Sequence, residues 1–421
     1  MTRVVSLTRN AVERDTRVLK VASSIARLGH ESLVIEGVPS ELDPAGLDFE
    51  LRPLFPHLAG GEDAGPPDPS PGERPAGVSE GNRARIRAAL PAVGRGLIEA
   101  AYVLASAVRE NRRLIRSLPP ADAYYLHSAL HYPAARTRAR RSGAKLIFDA
   151  HDANWALDTE RDAGAMHPLT LRLLKRADRI CALGCDGFIT VGASLADLFE
   201  EHVGRRPLVV RNCHDFRLDR TSPTDVRRAA GLGDDVFLLV MTGAPKPGDT
   251  VAETFAALES LPGDVHLALV GPGQGERRRA VADRGLAGRV HLLDPVPPTE
   301  VASFIRTADA APILYQALSP AYLVSLPNRF FHAVAAGLPV LYPDLPDVKE
   351  LCERYELGIE IDPTSPESIA GAVRRLYDDE QLRGRCAARV RAAQAELSWE
   401  REEATLAALL GEPATVREPS G

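Results

Sequence analysis

The stretch Ser325-Leu-Pro-Asn-Arg-Phe-Phe-His332-Ala-Val-Ala-Ala-Gly337-Leu-Pro-Val340 decides how the rest of the chain reads. Its spacing predicts a helix start, an apolar helix, a glycine stop and a return into a strand. Ser325 is placed to cap the helix, and Pro327 sits where a missing N–H costs least. Gly337 suits the residue just past the helix end, and Pro339-Val-Leu-Tyr342 opens the next strand. N–H groups at such a start, with Asn328, Arg329 and His332 beside them, suit a diphosphate and a ribose. The same spacing also fits an ordinary αβ unit of a doubly wound domain, because it follows general capping rules.

Outward from this stretch, βα units repeat along the chain. With 421 residues, the chain suits two domains rather than one core. An apolar fraction of 45% and a charged fraction of 26% belong to a globular protein. A net charge of −6 gives no basic stripe for nucleic acid. The five cysteines, Cys181, Cys185, Cys213, Cys352 and Cys386, lack metal-ligand spacing and read as buried thiols of a reducing compartment. Met1-Thr-Arg leads straight into an apolar strand, and no apolar run has transmembrane length, so a cytoplasmic protein is expected.

The first series begins with Arg3–Leu7, a polar loop, and a helix from Asp15 whose apolar residues recur at helical spacing. Asp15 reads as that helix's cap rather than a ligand contact. No G-x-G-x-x-G follows the first strand, so a dinucleotide site there is weakly supported. From about Pro56 to Asn82 the chain is rich in Pro and Gly and reads as a mobile excursion. Helical material follows from Arg83 to Ser117, broken at Pro91. Two strands, Ala123–Leu126 and Ala144–Phe148, are followed by His127 and by Asp149-Ala-His151-Asp152. Carboxyl ends of strands are where α/β folds place chemistry, although a polar loop histidine is equally ordinary. Ser194 reads as another helix cap, and Cys213–Asp235 as a linker.

The second series opens on Val236–Met241, continuous and apolar as a parallel strand covered on both faces requires. Its loop, Thr242-Gly243-Ala-Pro-Lys246-Pro-Gly248, carries glycines and one lysine, and a later strand ends at Gly271-Pro-Gly273. Two further helices, from Gln381 and from Trp399, close the chain. The expected organisation is residues 1–216, with the excursion at about 56–82, then 217–396, then a terminal segment 397–421. The fold class is α/β, with two facing Rossmann-like doubly wound domains.

In wording and order these segments resemble the family-4 retaining glycosyltransferases of the GT-B fold. The resemblance covers nearly the whole chain. It is carried by Asp15-Thr-Arg-Val-Leu-Lys-Val-Ala22, Phe148-Asp-Ala-His-Asp152, Val191-Gly-Ala-Ser194 with Val209-Val-Arg-Asn212, the Ser325–Val340 stretch, and Leu397-Ser-Trp-Glu400. It implies transfer of a sugar from a nucleotide diphosphate sugar, with the anomeric configuration retained. The donor would sit mainly in the second domain and the acceptor mainly in the first, with chemistry in the cleft between and the last helices crossing back.

The resemblance also implies roles. Ser325, Asn328 and the helix start would contact the diphosphate or donor sugar, together with Gly243 and Gly271, with Arg329 as a cation. Lys246 stands where relatives place a phosphate-binding basic residue; a solvated loop lysine is the plain alternative. His127, preferred over His131, resembles a histidine beside the donor sugar, so His127, Lys246 and Arg329 are the catalytic candidates. Asp152, His151 and the loop around Asn10 would shape the acceptor side. Many relatives carry two glutamates eight residues apart, the second gripping the ribose. Here Val324 and His332 occupy those positions, and a histidine is left to serve the ribose.

No metal and no cofactor beyond the donor substrate are expected. A small-molecule or glycan acceptor is expected, and membrane association is less favoured. Two alternatives stand beside this reading: a hydrolysing GT-B nucleotide-sugar epimerase, which needs cleft carboxylates, and a non-catalytic pseudo-glycosyltransferase acting as a binding subunit.

Overall fold

The continuous apolar runs become buried parallel strands in the computed structural model, which describes residues 1–55, 92–157 and 166–411. The Pro- and Gly-rich stretch 56–82 and the expected helix over 83–91 lie outside the described residues. The chain divides into two compact units. One comprises Met1–Arg211 with Glu403–Gly421, the other Asn212–Glu402.

In the first unit the strands are β1 (Arg3–Thr8), β2 (Glu31–Glu36), β3 (Glu50–Pro53), β4 (Ala123–Leu126), β5 (Lys145–Asp149), β6 (Gly187–Thr190) and β7 (Leu208–Val209). They lie in the order β3-β2-β1-β4-β5-β6-β7, all parallel. The second unit holds β8 (Phe237–Thr242), β9 (Val265–Val270), β10 (Val290–Leu293), β11 (Ala311–Pro312), β12 (Val340–Tyr342) and β13 (Gly358–Glu360). Its two three-stranded groups, β10-β9-β8 and β11-β12-β13, meet where Val240 N donates to Ala310 O at 3.0 Å. Counted within each unit, the order 3-2-1-4-5-6 is the Rossmann order. It reverses between β1 and β4 in one unit and between β8 and β11 in the other, and ligands of open α/β sheets bind at such reversals.

Burial follows the sequence pattern. Every residue of β8 is buried, and Leu239, Met241, Phe255, Leu258, Leu267 and Leu269 share one core. Asp15 caps the helix Thr16–Arg27, accepting from Arg17 N and Val18 N. Ser194 does not cap its helix: Ala193–Val203 starts after Gly192, with no side-chain cap. At one edge β7 is only the two residues Leu208–Val209, and at the other β3, a strand not expected, extends the sheet.

The helix Ala92–Ser117 is tied to the loop after β1 by a buried ion pair. Glu110 takes Arg9 at 3.0 Å (Nε–Oε2) and 3.1 Å (Nη2–Oε1), and His131 Nε2 lies 3.1 Å from Oε2. Burial opposes the charge, but the His131 contact and the Arg9 guanidinium outweigh it and hold Glu110 at about 2. A carboxylate bound this way stabilises the fold above the unfolded value near 4.5 and loses that contribution as pH falls toward 2. The drop corresponds to about 3 kcal/mol at most. Acid unfolding followed by circular dichroism between pH 5 and 2 is expected to show that loss, and Glu110→Gln to flatten it. An unchanged profile in the variant would assign the acid sensitivity elsewhere.

Candidate functional site

In the second unit the loops after β8 and β9 lean on one another. Gly243 has φ +107° and Gly271 φ +152°. A Cβ on Gly271 would fall 2.7 Å from Gly243 O, closer than real Cβ atoms come. Gly243 N donates to Val270 O at 2.8 Å, which fixes the contact. Gly243 is exposed and Gly271 is buried behind it, so bare backbone of the first loop lies open at the carboxyl end of β8, where a phosphate can approach closely.

Beneath the β8 loop lies a buried cluster of charge. Asp249 Oδ1 takes Arg329 Nη1 at 2.9 Å, and its Oδ2 takes Arg277 Nη2 at 2.9 Å and Lys246 N at 3.0 Å. All three ionic side chains are buried. Two guanidinium groups on one carboxylate leave a local excess of one positive charge. Burial pushes Arg277 below its ordinary value, and Asp249 holds it up. Arg329 Nη2 lies 3.8 Å from where a Cβ on Gly243 would stand, so the excess charge sits directly under the bare loop.

Arg329 belongs to the helix Asn328–Ala336. Pro327, with φ −74° and ψ 145°, is its N-cap and no side chain caps the start, which corrects the expectation of Ser325 as cap and Pro327 as first helical residue. A short turn of helix, Pro320–Leu323, intervenes before it. The chain can then cap nothing with Ser325, whose buried hydroxyl sits beside Tyr315. Burial, with Tyr322 nearby, raises the Tyr315 hydroxyl well above its ordinary value and keeps it protonated. Gly337 ends the helix at φ +75°, as its position in the sequence implies.

Of the sequence candidates, Gly243, Gly271, Arg329 and His332 gather at the end of β8, where His332 Nδ1 lies 2.9 Å from Thr242 Oγ1. Lys246 joins them through its backbone, with an exposed side chain. Asn328 Oδ1 accepts from Asn212 Nδ2 at 2.7 Å at the exposed helix start. Asp249 and Arg277 were not legible as site residues. The available signal was an aspartate two residues before a helix in a glycine loop.

His127 lies in the first unit, at the reversal point after β4. It is buried together with Asp149, the last residue of β5, and lies beside the half-buried His151. Asp149 Oδ2 accepts from Arg17 Nε at 2.8 Å and from Tyr125 O–H at 2.8 Å, and Arg17 Nη1 donates to Val210 O at 2.7 Å. Arg17 is therefore a buried pin from the first helix to β5 and to the chain after β7. Burial lowers His127 to about 4, against the pull of Asp149 and Asp15, so its ring is neutral near pH 7. His131, the paired alternative, is instead committed to Glu110.

Comparison with known proteins meets this geometry at both ends. Residues 15–213 match the profile of the glycosyl transferase 4-like domain, and residues 236–379 that of glycosyl transferases group 1. A D-inositol 3-phosphate glycosyltransferase of Acidothermus cellulolyticus is 25% identical over 275 residues, 61% of this chain and 60% of the relative. One of Corynebacterium glutamicum is 27% identical over 132 residues, 31% of this chain and 30% of the relative. The chain thus spans less than two thirds of the curated relatives it matches. Among solved structures, HepE of Anabaena in complex with UDP superposes with a TM-score of 0.67 at 16% identity, covering 97% of this chain and 99% of that one. Sucrose-phosphate synthase of Thermosynechococcus elongatus gives 0.64 at 14% identity, covering 97% and 98%. Both likenesses are of fold. Two matched profiles in chain order, on two Rossmann-like units, make this protein a member of the family-4 glycosyltransferases of the GT-B fold.

Proposed function

We propose that the chain is a retaining glycosyltransferase that moves a sugar from a nucleotide diphosphate sugar to an acceptor hydroxyl, with the donor held by the second unit. The observation that carries this reading is the excess positive charge of Arg329, Asp249 and Arg277 under the paired glycines. When the bond to the anomeric carbon breaks, negative charge collects on the leaving diphosphate. Fixed cations and N–H groups aimed at that charge lower the barrier without reorganising. Gly243 and Gly271 give backbone access, Asn328 opens the helix with Ser325 in the loop before it, and Lys246 reaches from the loop tip. His332, anchored through Thr242, stands for the ribose contact. In this reading the protein's own cations, not a metal, meet the diphosphate. The solved complex of HepE with UDP and the family membership support a nucleotide diphosphate as ligand.

Thermal denaturation with UDP, GDP and dTDP tests the donor site. One of them at a hundredfold excess over its Kd is expected to stabilise the protein by about 2.7 kcal/mol. Arg329→Ala is expected to abolish that gain while leaving Asp249 paired with Arg277. Indifference to all three nucleotides would remove the donor-site reading. Retention is read separately, from the anomeric configuration of the product made with a labelled nucleotide sugar.

A further inference from the structure

Around Asp149 the first unit keeps polar atoms that its own hydrogen bonds leave unused. Both ring nitrogens of His127, Oδ1 of Asp149 and Nδ1 of His151 are buried and lack a hydrogen-bond partner. The side chains of His127 and Asp149 are 1% and 0% exposed. Each unsatisfied buried group costs roughly 1–3 kcal/mol, so three of them converging on one point ask for an occupant. One ligand atom from each residue lies within 4.8 Å of the others.

We propose that the carboxyl ends of β4 and β5 carry a site for one divalent transition-metal ion, ligated by His127, Asp149 Oδ1 and His151 Nδ1. Two imidazoles and one carboxylate are a donor set that suits zinc and its neighbours. Bonds of about 2.0–2.1 Å to a tetrahedral ion set its ligands roughly 3.3 Å apart, so the longest edge of the cluster closes by about 1.5 Å, within reach of ring rotation. Asp15 and Asp152 stand 4.0 and 3.9 Å from His151 Nε2. They favour the N–H there and leave the Nδ1 lone pair turned inward, as carboxylates behind metal-bound histidines do. The bonds from Arg17 Nε and Nη1 go to Asp149 Oδ2 and Val210 O, so neither occupies Oδ1. Three carboxylates against one guanidinium leave the neighbourhood negative. Three ligands leave a fourth position open. The ligands stand at the ends of two different strands, so no spacing along the chain announces the site. The inference gives His127 a role other than the one beside the donor sugar that the resemblance implies, and it leaves the diphosphate site proposed in the second unit untouched.

The test uses the full chain stripped with a chelator, titrated with Zn2+ alone by calorimetry and with Co2+ followed by visible absorption. One ion per chain is expected, and a cobalt spectrum of four-coordinate intensity. The His127→Ala/His151→Ala pair is expected to weaken binding at least about 100-fold. Asp149→Asn risks misfolding because Arg17 stays buried, so His151→Gln, at a partly exposed side chain, serves as the second variant, with circular dichroism confirming the fold. Substoichiometric binding, or equal affinity in the double variant, overturns the proposal. An ordered water in an electron-density map of zinc-soaked crystals does the same, because a water satisfies the same atoms.

Discussion

Asp249→Ala is expected to destabilise the second unit by about 3–5 kcal/mol, the cost of stripping the partner from a buried ion pair. Two guanidinium groups, Arg329 and Arg277, would be left facing each other without a carboxylate, and the Lys246 backbone would lose its 3.0 Å contact. The effect should therefore exceed that of Arg329→Ala, which leaves one neutral Asp249–Arg277 pair behind. Urea denaturation of both variants, with stabilisation by nucleotide measured alongside, separates the two. If Asp249→Ala were no worse than Arg329→Ala, the carboxylate would not be holding the cluster together. The double variant Arg329→Met/Asp249→Leu should recover part of the stability lost in Asp249→Ala but not nucleotide binding, because it removes the repulsion between the two guanidinium groups and, with Arg329, the cation under the bare loop, leaving Arg277 as the one buried charge of the cluster.

The second large effect is expected from Gly271→Ala. Its φ of +152° is rarely adopted by a residue with a side chain, and the new methyl would sit 2.7 Å from Gly243 O. Strain of that kind costs roughly 1–3 kcal/mol, and it is relieved only by separating the loops that form the phosphate approach. Gly243→Ala makes the comparison informative. Its φ of +107° also strains an alanine, yet its nearest neighbour would be Arg329 Nη2 at 3.8 Å, so there is room for the methyl. Nucleotide-dependent stabilisation should thus be lost in Gly271→Ala and only reduced in Gly243→Ala. Equal effects would show that backbone strain alone, not the loop-to-loop contact, governs the site.

The strands were legible because burial on both faces demands long apolar runs, and β8 and β9 are such runs. Asp15 and Gly337 were legible because capping is local: the group satisfied lies within three residues of the residue that satisfies it. Ser325 and Ser194 misled for the same reason. Their spacing suits a cap, but Pro327 and Gly192 take the position, and Ser325 is drawn to Tyr315. The charged clusters were not legible at all. Arg17 meets an aspartate 132 residues away, and Arg329 meets one 80 residues away. No periodicity records such a meeting. What the sequence shows is an arginine on an otherwise apolar helix face, a sign that a buried partner waits elsewhere. The metal-ligand cluster escaped similarly, since His127 and His151 become neighbours only when β4 and β5 pair.

Each unit, then, is fastened near its strand-order reversal by a carboxylate locked to arginine: Asp149 with Arg17, and Asp249 with Arg329 and Arg277. Heat treats such fastenings differently from the rest of the core. The water that a charge gives up on burial holds it less favourably as temperature rises, while the gain from apolar burial levels off. On warming, these pins supply a growing share of each unit's stability. The loops they anchor are then the parts whose geometry should persist longest as the surrounding packing loosens.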